Sequence, residues 1–294
     1  LGDSTYKKVI QTYLQKHAFG VVTTEDFLQV VNQVSGEDYR SFFDHWVFAS
    51  GESSLTASLV EGKKNRGIQL TLHDGLCYCG GALVLKLVYE NDEVAYIRDM
   101  WKLTKTPDGD AYLAEGIDKF IEIPQGKKIK FWTIDPGKHY LSQLKESKPF
   151  EMWQAQYQLS EELLDKYTAV EGLQEIKFRE KKDLLVEIAT DQDAFFSLRA
   201  EALRQLLEED YETYTNLLVT ALLSEDVKLQ KQAIQMVQTK TPELEKAIET
   251  VRFGQSYELR EWAISKGVNP KDRAANKWVY DERYETEPGI PGRK

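Results

Sequence analysis

Apolar residues in the first fifty positions recur at helical spacing. Phe27, Val30, Val31 and Val34 fall at i, i+3, i+4 and i+7, and Phe42, Phe43, Trp46 and Val47 repeat the stripe one helix later. Thr23-Thr24-Glu25-Asp26 and Ser35-Gly36-Glu37-Asp38 both fit a helix start, in which a hydroxyl accepts from an orphan backbone N–H and an acid favours the positive helix end. Gly20, Gly36 and Gly51 punctuate the ends. From about Leu55 to Ile134 the period falls to 2 and β-branched and aromatic residues become dense. The pattern predicts strands over Leu55–Val60, Gly67–His73, Ala82–Glu90, Val94–Thr104, Ala111–Ile123 and Lys128–Ile134. Turn-rich stretches such as Asn91-Asp92-Glu93, Pro107-Asp108-Gly109-Asp110 and Pro124-Gln125-Gly126 separate them. Such short connections predict antiparallel neighbours and favour a small sandwich over a parallel sheet.

From Tyr140 onward the strands are expected to stop and the helical period returns, with starts read at Ser160, Ser224 and Thr241-Pro242. One pattern recurs within this stretch. Leu198, Leu229 and Leu259 stand 31 and 30 residues apart, and in each copy Ala follows Leu by four, one turn on along the same face. A small residue at a helix crossing lets neighbours approach closely, so the spacing predicts a short HEAT-like array of stacked helical pairs. An irregular helical bundle is the plainer alternative. Past Asn269-Pro270 the chain turns polar and is expected to end as a loose tail.

These readings give a multidomain α+β chain: a helical segment at 1–51, an antiparallel β-sandwich at 52–139, a HEAT-like helical domain at 140–270 and a tail at 271–294. A length of 294 residues suits two or three domains at roughly 100–200 residues each. The net charge of −10 argues against broad attraction to nucleic acid or anionic lipid. No apolar run approaches the ~20 residues of a membrane helix. Leu1-Gly2-Asp3-Ser4 carries no initiator Met and no signal-peptide pattern, and Leu1 is read as a cut end, which leaves the compartment open.

Catalytic motifs are missing. None of His17, His45, His73 and His139 begins H-E-x-x-H, and neither G-x-S-x-G nor a phosphate-binding loop occurs. His73, Cys77 and Cys79 are the one close group of metal-capable types, but Cys-x-Cys is tighter than structural zinc sites use, and core packing is the expected role. Acid pairs such as Glu161-Glu162 and the run Glu208-Glu209-Asp210 fit solvated helix faces.

The runs Leu1-Gly2-Asp3-Ser4-Thr5-Tyr6, Tyr13-Leu14-Gln15-Lys16-His17-Ala18-Phe19-Gly20, Thr23-Thr24-Glu25-Asp26-Phe27 and Phe42-Phe43-Asp44-His45-Trp46-Val47, with Ser50-Gly51, carry a resemblance. In order and spacing this stretch resembles the closing helices of the thermolysin-like catalytic domain in aminopeptidase N-like zinc metallopeptidases. The family follows those helices with a small β-sandwich and a HEAT-like C-terminal domain, the succession read above from periodicity. One departure is visible: where the family usually has an aromatic or His and then Pro, this chain has Glu52-Ser53-Ser54. The family's zinc ligands, amine-binding Gly-rich motif and catalytic Tyr lie upstream of what Leu1 matches, so none is carried onto a residue here.

The resemblance implies the C-terminal scaffold and substrate-chamber wall of a zinc aminopeptidase that removes N-terminal residues from peptides. Zinc would reside in the parent protein and not in this segment, which alone is expected to be inactive. The expected partners are the N-terminal catalytic region of the same protein and peptide substrates. The alternative is a noncatalytic HEAT-like protein-interaction scaffold related to the aminopeptidases. In relatives the helical domain offers basic side chains to a peptide's far end, which makes Arg199 and Arg260, directly after repeat leucines, and Arg204, about a turn beyond Arg199, the candidate substrate contacts; the plainer reading is a solvated arginine paired with a nearby Glu such as Glu201 or Glu261.

Overall fold

A computed structural model describes residues 1–48, 53–62, 66–73, 83–98, 103–105, 112–114, 118–139, 142–239, 241–252 and 256–267. Cys77, Cys79, Gly51, the turn at 107–110 and the expected tail at 271–294 lie outside the described residues. The chain divides into two units, Leu1–Lys148 and Pro149–Lys294.

In the first unit, α1 (Asp3–Lys16) and α2 (Thr24–Ser35) lead to α3 (Arg40–Phe43), continued by a π-helical turn over Asp44–Phe48. The start of α2 is the reciprocal cap its sequence specifies: Asp26 N donates to Thr23 Oγ1 at 3.4 Å, and Thr23 N donates to Asp26 Oδ2 at 2.8 Å. Ser35, read as a second start, instead closes α2 and donates to the Val31 carbonyl, while Gly36 takes the left-handed φ of 77° that ends the helix. Val9, Leu28, Val30, Val31 and Phe43 form a small core. The wider π turn breaks the second stripe, leaving Phe43 buried but Phe42 and Val47 exposed.

Among the described residues nine strands follow: β1 (Ser53–Glu61), β2 (Arg66–Leu72), β3 (Leu85–Tyr89), β4 (Val94–Ile97), β5 (Leu103–Lys105), β6 (Tyr112–Ala114), β7 (Asp118–Glu122), β8 (Ile129–Ile134) and β9 (Ser142–Ser147). They order as β7-β2-β1-β9, β4-β3-β8 and β5-β6. Two expected strands are thus divided: Val94–Thr104 becomes β4 and β5, and Ala111–Ile123 becomes β6 and β7, each pair split between different sheets. Alternation holds in β1 and β2, where Leu55, Ala57, Ile68 and Leu70 are buried.

The reading that strands stop at Tyr140 is corrected by β9, which pairs parallel to β1 with Leu144 opposite Leu55. Its period is 2, but Leu144, Glu146 and Lys148 are the inward positions, so charged residues occupy places a hydrophobic pattern would reserve for apolar ones. This strand falls beyond residue 139, the expected end of the β region.

The second unit is helical: α4 (Phe150–Leu159), α5 (Leu163–Gly172), a 3₁₀ turn over Leu173–Glu175, α6 (Phe178–Thr190), α7 (Phe196–Glu209), α8 (Tyr211–Leu222), α9 (Val227–Gln235), α10 (Pro242–Arg252) and α11 (Tyr257–Gly267). Pro242 opens α10 as expected, and Leu244 N donates to Thr241 Oγ1. The other two starts shift by about two residues: Ser160 caps the end of α4 before α5, and Asp226, accepting from Lys228 N and Leu229 N, caps α9 in place of Ser224. Helices two apart touch, as in α5–α7, α7–α9 and α9–α11. The repeat residues Leu198, Ala202, Leu229, Ala233, Leu259 and Ala263 are all buried in one hydrophobic core.

Candidate functional site

Arg199 and Arg204 both lie on α7, one helix removed through α9 from Arg260 on α11. Repeat spacing therefore distributes the three arginines along the unit. Arg199 is half-buried and its Nε donates to the Ala189 carbonyl at 3.5 Å, near the end of α6. Arg260 is half-buried on the first turns of α11.

Arg204 is the most fully engaged. Its Nε and Nη2 donate to the two Glu201 oxygens at 2.8 and 2.5 Å, and Nη1 donates to Glu208 Oε1 at 2.5 Å. A planar fork meeting a carboxylate along two parallel bonds is the strongest ion-pair geometry available to side chains. The Glu201 hydrogen bonds, partly opposed by burial, hold the guanidinium well above its ordinary pKa. Glu201 is itself buried, and Gln205 Nε2 donates both to Glu201 Oε1 at 2.9 Å and to the Val170 carbonyl of α5 at 2.8 Å. Buried Lys181 on α6 completes the network, its Nζ 3.5 Å from Gln205 Oε1 and 3.5 Å from Glu209 Oε1. Burial, then the Glu201 charge, raises the Tyr167 phenol above its usual value. The arrangement binds α5, α6 and α7 together and leaves Glu208 as the more exposed partner of Arg204.

A second polar centre, with no apolar sequence signal, lies in the first unit. Glu146 Oε1 accepts from Ile134 N at 2.6 Å and from Thr133 Oγ1 at 3.3 Å, while Lys148 Nζ donates to Glu146 Oε2 at 2.5 Å and stands 4.5 Å from the Trp132 ring centroid. It satisfies a buried N–H of β8, the outer strand of its sheet. The period-2 placement of Glu146 and Lys148 after Leu144 is the signal that a search admitting charged inward residues would have found.

Between α1 and α2 a shallow groove of about 540 Å³ is lined by Ile10, Tyr13, Leu14, Val22 and Phe27, among others. Tyr6, Leu14, Phe19, Val21, Phe42, Val47 and Phe48 stay exposed on this helical segment. Among the described residues no three His, Cys, Asp or Glu side chains converge as a metal site, so no zinc step is placed on them. No described helix is long and apolar enough to cross a membrane.

No protein-family model matches the chain. A stretch of 61 residues, 21% of the chain, is 30% identical to aminopeptidase N of Lactococcus lactis subsp. lactis and covers 7% of that protein. The crystal structure of Legionella pneumophila aminopeptidase A in complex with aspartic acid is similar over 95% of this chain, with a TM-score of 0.53 and 15% identity. The chain spans 39% of that structure's length. A short stretch of this sequence is thus similar to one aminopeptidase, and the mixed α+β fold of nearly the whole chain is similar to part of another.

Proposed function

We propose that this chain forms the C-terminal scaffold and substrate-chamber wall of a zinc-dependent aminopeptidase, with zinc and its ligands supplied by an N-terminal catalytic region of the same protein. The likeness in fold over 95% of the chain carries the reading, supported by the 30% identity over 61 residues. In this reading α1–α3 close the catalytic domain, the sheets form a β-sandwich, and α4–α11 form a HEAT-like array whose buried Leu and Ala repeat supports that assignment. The exposed apolar residues of the helical segment, Phe19, Val21 and Phe48 among them, are the surface on which the catalytic region packs. Arg199, Arg204 and Arg260 take a peptide's C-terminal carboxylate, Arg204 by exchanging Glu208.

The test is kinetic, in the full-length protein. Arg199→Ala and Arg260→Ala raise KM for short peptides with free C-termini and spare amide-blocked ones. Equal effects on both, or none, remove the arginines from the substrate. The isolated chain hydrolyses no aminoacyl reporter and holds no stoichiometric zinc. A full-length protein equally inactive with zinc supplied would leave the noncatalytic interaction scaffold as the reading.

A further inference from the structure

In residues 149–252, the large apolar side chains that remain exposed among the described residues are Leu159, Leu163, Leu164, Phe195, Leu223 and Val227, between 37% and 51% accessible. All six flank alternate connections: α4 to α5, α6 to α7 and α8 to α9. The intervening connections, α5 to α6 and α7 to α8, expose none among the described residues. Packed helices joined by short turns run antiparallel, so alternate connections emerge at the same end of the helices.

Contacts join the three connections into one edge. Tyr157, on the last turns of α4, has its phenol pKa raised by burial and then by Asp191 and Glu187 at the end of α6. Lys228 at the start of α9 lies over the Phe196 ring at the start of α7, 5.3 Å from its centroid, and Phe196 packs on Phe195 with centroids 4.6 Å apart. Arg199 of α7 reaches back to the α6 terminus through the Ala189 carbonyl.

The charged residues between the apolar ones are acidic, and Glu161, Glu162, Asp191, Asp193 and Glu225 are all exposed. None of these five forms an ion pair among the described residues. The neighbouring lysines are instead drawn over rings, Lys166 over Tyr157 at 5.7 Å and Lys228 over Phe196. An exposed apolar band with unneutralised carboxylates along it complements a surface that carries apolar and cationic side chains together.

We propose that this loop edge is a docking site for a cationic amphipathic polypeptide segment of another protein, a lysine- or arginine-bearing helix with one apolar face. Apolar anchors pack on Leu163, Phe195 and Leu223, and the flanking cations meet Glu161, Asp191 and Glu225. The proposal does not depend on the aminopeptidase reading.

The test uses the whole chain and a fluorescein-labelled helical peptide of two Leu-Lys-Lys-Leu-Leu-Lys-Leu heptads, followed by anisotropy. Binding is expected in the micromolar range and weakens with salt, and a peptide with Glu at every Lys position binds at least about tenfold more weakly. Phe195→Ser/Leu223→Ser and Asp191→Lys/Glu225→Lys each weaken the Lys peptide about tenfold, with the helical circular-dichroism melt retained. The control pair Glu212→Lys/Glu243→Lys, equal in charge change but in the first turns of α8 and α10, at the intervening connections, stays within about twofold. Equal loss in that control pair, or undiminished binding of the Glu peptide, overturns the proposal. So does a wild-type dimer that Phe195→Ser/Leu223→Ser converts to monomer, because a second copy would then cover the edge.

Discussion

Glu146 and Lys148 face each other with side-chain exposures of 1% and 0%. Burying an ion costs several kcal/mol, which the Coulomb attraction offsets only where the remaining hydrogen-bonding capacity is also met. Ile134 N and Thr133 Oγ1 meet it on one side and the Trp132 face on the other. Glu146→Leu should therefore cost about 3–5 kcal/mol by removing the carboxylate that balances the buried ammonium, whereas Glu146→Leu/Lys148→Met costs less, leaving mainly the Ile134 N–H at about 1–3 kcal/mol. Urea unfolding followed by tryptophan fluorescence checks this, and a double variant worse than the single would refute it. Gly172 is a second sensitive residue. Its φ of −62° is ordinary, but a Cβ there would come within 2.4 Å of the buried Trp153 ring. Gly172→Ala should displace that ring and cost about 1–3 kcal/mol, read as a lower melting temperature of the helical signal.

Helix ends show how local chemistry sets element boundaries. Asp210 caps α8, and hydrogen bonds from Thr213 hold its carboxyl below the ordinary value of 3.8. A pKa lowered by folding stabilises the native state above the unfolded value, and that contribution is lost as pH falls through the folded value. The melting-temperature gap between wild type and Asp210→Ala should accordingly be widest near neutral pH and shrink once the pH drops below 3.8. A gap independent of pH would mean that the charge plays no part in the cap. The same chemistry made the start of α2 legible, because Thr23 and Asp26 satisfy each other within four residues. Strand β9 was not legible. Its inward Glu146 and Lys148 become tolerable in a buried place only through partners on β8, more than ten residues earlier.

For the whole molecule, the informative surface is the helical segment. Phe19 and Val21 are fully exposed, and Phe19 holds a left-handed φ of 59° that an L side chain seldom adopts. The isolated chain should bind a hydrophobic dye or self-associate, and Phe19→Ser/Val21→Ser should reduce either signal. A monomer that binds no dye would show that this face needs no cover.

Sequence alone determined what depends on neighbours along the chain: the helical segment, most strands between residues 53 and 134, the proline start of α10, and the Leu and Ala repeat whose residues on α7, α9 and α11 are buried. Each follows from a period or a cap contained within one element. Of the candidate site, it identified the three arginines and Glu201 as a nearby partner, one helical turn from Arg204. Only the tertiary structure decided that Gln205 of α7 reaches the Val170 carbonyl of α5, that Lys181 on α6 joins Gln205, that β9 runs parallel to β1, and that six apolar side chains flank alternate connections of the helical unit. The physical reason is common to all four. Whether a charge is paired, a strand is covered or a hydrophobe is left exposed depends on elements far away in sequence, and no local period carries that information.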